Sequence, residues 1–169
     1  MKTMKTLFVA IALFVGATSF MNAQSKTAHI DTQALVEAMP EMKAAQSQLE
    51  KLQKTYDTAI KDMAKEFEAK VKIYGAEEGS KTQEENAKRV EEVQGMERNI
   101  AAYRQQALQD LQKKEVDVFQ PILEKARAAI QKVARAKGYQ YVLDSATGNG
   151  VILADGYDLF GDVKKELGI

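Results

Sequence analysis

The sequence predicts an α+β chain that is mostly α: a long antiparallel helical hairpin, a coiled-coil arm, projecting from a small β-containing oligomerisation body. Three observations predict it. Apolar residues recur at helical spacing from Met42 to Tyr74 and again from Val93 to Leu111. Neither Gly nor Pro occurs between Glu41 and Tyr74. Short β-like runs are confined to residues 28–31 and 139–155. Aromatic residues make up only 7% of the 169 positions, too few for one thick globular core at this length.

The N-terminus reads as an export leader. Lys2 and Lys5 precede the apolar run Leu7 to Ala17, and small or polar residues follow up to Asn22-Ala23-Gln24. The run has 11 residues, about 17 Å as a helix, short of the ~30 Å a membrane span requires. Cleavage is expected after Ala23, which makes residues 1–23 a signal peptide and the mature chain an exported one. The sequence has no Cys, which excludes lipid attachment after the cut, disulfides and thiol chemistry. The balance of 24 basic against 24 acidic side chains becomes 22 against 24 once Lys2 and Lys5 are removed, net −2. That balance argues against nucleic-acid binding and makes contact with an acidic membrane surface doubtful.

Residues 24–39 and 116–169 are expected to form the body, and residues 40–115 the hairpin, with its tip near 75–80. The outgoing stripe reads Met42, Ala45, Leu49, Leu52, Tyr56, Ile60, Met63, Phe67, Val71, Tyr74. It covers 32 residues in nine steps, 3.56 per step, between a heptad coiled coil and a straight helix. Being about one residue wide, it can cover one partner helix but not a thick core. Gly75 to Ser80 then breaks the helix, and Ser80 or Thr82 can cap the next, with Glu84 or Glu85 in its first turn. The returning stripe is Val93, Met96, Ile100, Tyr103, Ala107, Leu111. A fold-back at 77 or 78 pairs position 40 with about 115. Pro40 and Pro121 then mark where the hairpin leaves and re-enters the body.

In the body, Ala28 to Asp31 reads as a strand and Thr32 to Met39 as one or two helical turns. The stripe Ile122, Leu123, Ala126, Ile130, Val133, Ala134 leads to a stop at Lys137-Gly138. Tyr139 to Asp144 and Gly150 to Asp155 read as a β-hairpin around a Gly/Asn turn, with a last helix over Leu159 to Leu167. The expected core of body and oligomer comprises Ile30, Leu35, Ile122, Ile130, Val133, Val142, Leu143, Val151, Ile152 and Leu153. A sheet apolar on both faces with one long helix to cover it lacks partners, and self-association supplies them.

The catalytic inventory is short, and the sequence predicts neither an enzyme nor a cofactor. His29 is the only His, at alternating strand spacing, and reads as structural. Gly148-Asn149-Gly150 is followed by a β-like run rather than a helix, so it reads as a turn and not a phosphate loop. Asp144, Asp155, Asp158 and Asp162 lack calcium-loop spacing and read as strand-end and capping residues, Asp158 for the last helix. Residues 77–97 carry three basic against seven acidic side chains, while 124–137 carry five against one. Met63, Phe67, Val71 and Tyr74 fit either the seam between the hairpin helices or a surface that touches another chain.

The segments His29-Ile30-Asp31-Thr32…Leu35, Pro121-Ile122-Leu123…Ile130…Val133-Ala134 and Gly138 to Asp144 resemble the Skp/OmpH family of periplasmic chaperones. The ending Asp158-Leu159…Asp162-Val163…Leu167 is similar to the family's, with Phe160 where Thr is usual. The resemblance covers nearly all of the mature chain. It implies a homotrimer of arm-bearing subunits that, without ATP, holds unfolded outer-membrane β-barrel proteins in a cavity between the arms. A non-enzymatic envelope coiled-coil adaptor for a folded partner is the alternative, and a lipid-surface binder fits the −2 charge least. Well-known members are strongly basic, and this chain is not.

Overall fold

The computed structural model describes residues 26–169; the expected signal peptide lies outside the described residues. The elements are β1 (Thr27–Ile30), α1 (Thr32–Ala38), α2 (Pro40–Glu77), a 3₁₀ turn (Glu78–Ser80), α3 (Gln83–Ala136), β2 (Tyr141–Asp144), β3 (Tyr157–Asp158) and α4 (Phe160–Leu167). They form two compact units. One contains residues 26–35 and Ala126–Ile169, the other Val36–Lys125.

The first unit is built on a three-stranded sheet of order β2-β1-β3. Both outer strands run parallel to β1, with Ala28 opposite Val142 and Tyr157, and His29 opposite Leu143 and Asp158. Strand alternation sends Ala28 and Ile30 to the buried face and leaves His29 half-buried. Leu35, Leu159 and Val163 are completely buried, and Ala126, Ala129, Val133, Ala134 and Ala146 are buried in the same unit. Each large side chain removed from water stabilises the unit by about 1.5–3 kcal/mol.

This arrangement corrects the expected β-hairpin. Residues 150–155 form no strand, and 157–158 take the second edge of β1 instead. The apolar content of Val151-Ile152-Leu153 signals strand propensity but does not specify a partner. Burial of Leu159 and Val163 and the Leu159 N–H bond to the His29 carbonyl (2.9 Å) fix 157–158 beside β1. Gly148 and Gly150 have φ of 95° and 81°, a region closed to most side chains, so the chain turns there as expected but does not return antiparallel.

Helix α3 stops where Lys137-Gly138 predicts. Gly138 has φ 75°, Gly138 N–H bonds Arg135 O, and Tyr139 N–H bonds Ala134 O at 2.9 Å, the two bonds of a Schellman motif. Gly168 ends α4 the same way, through Lys165 and Lys164.

The second unit is an antiparallel helical hairpin. Pro40 occupies the first turn of α2, where its missing N–H costs nothing. With 38 residues, α2 is about 57 Å long. It runs through Gly75 to Glu77, so the break comes later than expected. Thr82 and Glu85 then form a capping box: Thr82 N–H donates to Glu85 Oε2 (2.9 Å), and Glu85 N–H donates to Thr82 Oγ1 (3.2 Å). Asn86 Nδ2 closes the turn on the Glu78 carbonyl at 2.9 Å.

The later turn changes the register. Glu41 pairs with Lys125, Tyr56 with Asp110, Tyr74 with Glu92 and Glu77 with Arg89. Each pair is centred on residue 83, so position 41 faces 125 rather than about 115. Pro121 accordingly lies inside continuous α3 and does not end it. One backbone hydrogen bond is lost there, and paired residues on both sides hold the helix together.

Candidate functional site

Among the described residues, no three or more His, Cys, Asp or Glu side chains are grouped to hold a metal ion, and no helix is long and apolar enough to cross a membrane. The titratable groups of the first unit make structural contacts. His29 Nε2 lies 3.1 Å from the Gly156 carbonyl, and Nδ1 lies 3.2 Å from Ser145 Oγ. A carbonyl only accepts, so the proton sits on Nε2, and in the neutral ring Nδ1 accepts from the Ser145 hydroxyl.

Asp144 anchors the start of the same connection. It accepts from Thr32 Oγ1 (2.6 Å), Thr32 N–H (3.2 Å), Ala146 N–H (3.1 Å) and Asn149 Nδ2 (2.6 Å). Burial pushes its pKa up, but these donors together outweigh burial and hold it below the usual 3.8. Asp158 accepts from Phe160 N–H at 2.8 Å, at the start of α4. Asp162 belongs to a surface cluster: Lys137 Nζ lies 2.9 Å from it, and Tyr157 donates to it at 2.7 Å. Tyr139 stacks on Tyr157 with ring centres 5.6 Å apart. Bonds to Tyr157 and Asp162 raise the Lys137 pKa.

In the hairpin, Met63, Phe67 and Tyr74 are half-buried and Val71 is 43% exposed. Tyr74 spans the seam: its hydroxyl donates to Glu92 at 2.6 Å, and the Arg89 guanidinium lies 4.5 Å from its ring centre. Lys70 also pairs with Glu92, and Arg89 with Glu77 at 2.6 Å. The Lys70 bond, then the Tyr74 bond, lower the Glu92 pKa; the Glu92 carboxylate raises that of Tyr74. Val71 and Tyr74 line an open cleft of about 280 Å³ with Asn86, Arg89, Val90 and Val93. Tyr56 packs edge-on against Tyr103 at 6.0 Å and donates to Asp110.

The expected core residues separate. Ile30, Leu35 and Val133 are buried in the first unit, and Ile130, Val142 and Val151 are half-buried there. Ile122 is buried within the hairpin unit. Leu143, Ile152 and Leu153 are 47%, 100% and 75% exposed in the single chain. A second group on α3 is more than half exposed: Val90, Leu108 and Val116, which went unanticipated, and Leu123, which the expected body stripe included. A helical wheel over 87–123 drawn for a stripe other than the seam would have shown them.

The family model for OmpH-like outer membrane proteins matches residues 26–167. Among solved structures, a candidate outer membrane chaperone (OmpH-like) from Caulobacter crescentus superposes with TM-score 0.76 at 16% identity. The match covers 86% of this chain and 85% of that one, and at this identity it reports shared fold. A comparison with curated proteins gives no match.

Proposed function

This chain belongs to the OmpH-like family of outer membrane proteins, and on that premise we propose that it is an ATP-independent holdase of the periplasm. Its clients are unfolded outer-membrane β-barrel proteins. They are held between the helical hairpins of a homotrimer, which shields their apolar strands and unpaired edges from one another.

The observation that carries this reading is the hairpin itself. Two long helices share a seam whose large buried side chains are few, and they are crossed by Tyr and charged pairs rather than by a thick core. Such a unit offers length and surface in place of a catalytic pocket. Self-association is supported by the sheet, whose outer strands each have one neighbour, and by Tyr141, Leu143, Ile152 and Leu153, exposed in the single chain.

The test is dilution of a urea-unfolded outer-membrane barrel into buffer without nucleotide. Suppression of light scattering at a few-fold excess of the protein is expected; no suppression overturns the reading. Size exclusion with light scattering is expected to give three copies, and a monomer at micromolar concentration overturns the homotrimer. A saturable complex with one folded partner and no effect on unfolded barrels would establish the adaptor instead.

A further inference from the structure

The two helices of the hairpin differ in the faces they turn away from the seam. Along α2 that surface is charged, with Lys43, Glu50, Lys54, Asp57, Lys61 and Lys65 all exposed. Along α3 it includes an uncharged stripe. At 100° per residue, Val90, Gln94, Ala101, Gln105, Leu108 and Gln112 fall within a sector of about 60°, and all are exposed. Leu123 lies in the same sector and Val116 adjoins it, while Phe119, also in the sector, is half-buried. Between positions 87 and 123 no charged residue occupies that sector; Glu97 and Glu115 border one side and Arg98 the other. At its start Val90 and Gln94 border the cleft beside Val71 and Tyr74; from Ala101 onward the stripe departs from the seam, where Ile100 and Ala107 are buried.

We infer that this face of α3 is the surface that takes an extended, uncharged segment of an unfolded polypeptide, an inference that rests on the holdase reading and names the contact within it. Two properties decide the occupant. First, the amides of Gln105 and Gln112 alternate with the apolar side chains of Leu108 and Val116. A partner helix satisfies its own backbone internally, so packing it here would bury those amides without partners. An extended chain brings open N–H and C=O groups, and each Gln amide can donate to one and accept from the other. Second, the stripe lacks charge. It offers no counter-ion to an acidic or basic segment and favours the apolar and polar-uncharged stretches that aggregate when exposed. From Ala101 to Leu123 the face is about 33 Å long, room for about 10 residues of extended chain.

The test compares the two outer faces in the full-length protein. Benzoylphenylalanine replaces Leu108 in one sample and Lys61 in another, and each is irradiated with a urea-unfolded outer-membrane barrel after dilution. Crosslinking from position 108 is expected to exceed that from 61 about tenfold. Leu108→Glu with Val116→Glu is expected to weaken barrel binding about tenfold or more, as loss of two apolar contacts implies. Both residues are exposed, so helix content by circular dichroism stays unchanged. Equal crosslinking from 61 and 108, or unchanged binding by the double variant, overturns the inference while the holdase reading stands. Crosslinking from 108 to a second copy of this chain without client overturns it in favour of self-association. If the unsubstituted protein holds no barrel, both readings fall, and that result is visible before any variant is made.

Discussion

His29 and Gly156 are joined by a hydrogen bond of 3.1 Å from the imidazole Nε2–H of the central strand to the carbonyl before β3. The other ring nitrogen meets Ser145, just after β2. One side chain therefore holds both ends of the connection carrying the exposed Ile152 and Leu153. His29→Ala is expected to raise amide exchange at 145–158 severalfold and leave the hairpin unchanged. Unchanged exchange at 145–158 would show that the Leu159 N–H bond to the His29 carbonyl suffices.

Asp144 makes stability depend on pH at the acid end. Its folded pKa lies below the ordinary 3.8 because the Thr32, Ala146 and Asn149 donors outweigh burial. The ionised form is favoured by folding, so its contribution is present above the unfolded value and is lost as pH falls through the folded one. Denaturant unfolding between pH 6 and about pH 3 is expected to show falling stability, with a shallower slope in Asp144→Asn. Identical slopes would remove Asp144 as a source.

Leu35 and Leu159 are completely buried, whereas Leu123 is 51% exposed. Leu35→Ala and Leu159→Ala are each expected to cost about 2–5 kcal/mol, against about 0.5 or less for Leu123→Ala. Calorimetric melting of the three variants checks the order. A comparable loss from Leu123→Ala would mean that position is covered in the assembly.

Pro121 sits inside α3 without an N–H to give the Asp117 carbonyl four residues earlier. Pro121→Ala restores that donor and removes a ring from the helix interior. The variant is expected to be more stable by about 1–3 kcal/mol, since interior Pro costs about 3 relative to Ala. A loss of stability would show that the helix needs the local bend.

Legibility in the sequence followed the range of the interaction responsible. The helical stripes, Pro40 in the first turn of α2 and the stop at Gly138 rest on backbone chemistry and nearest-turn spacing, and the structure places them as expected. Thr82, offered beside Ser80 as a cap, is the residue that closes on Glu85. The hairpin register could not be read that way, because a helix can tolerate Gly75 and the turn takes five residues beyond Glu77. The partner of β1 was equally hidden, since Val151-Ile152-Leu153 carries the stronger strand signal than Tyr157-Asp158. The exposed stripe on α3 was present in the sequence but masked by the seam stripe on the same helix.

By itself the sequence determined the family, the two long helices and their caps, and the absence of thiol chemistry. The helices, their caps and the absence of thiols follow from residue type or from spacing within a few turns, and the family from resemblance over residues 26–167. Only the tertiary structure decided that β1 is the central strand with two parallel neighbours, that 150–155 forms no strand, that the pairs are centred on residue 83, and that α3 continues through Pro121. Those outcomes depend on which distant groups satisfy one another: Leu159 N–H meeting the His29 carbonyl, and Glu41 reaching Lys125. Local propensity is blind to such partners, because the free energy that selects them exists only once both are in place.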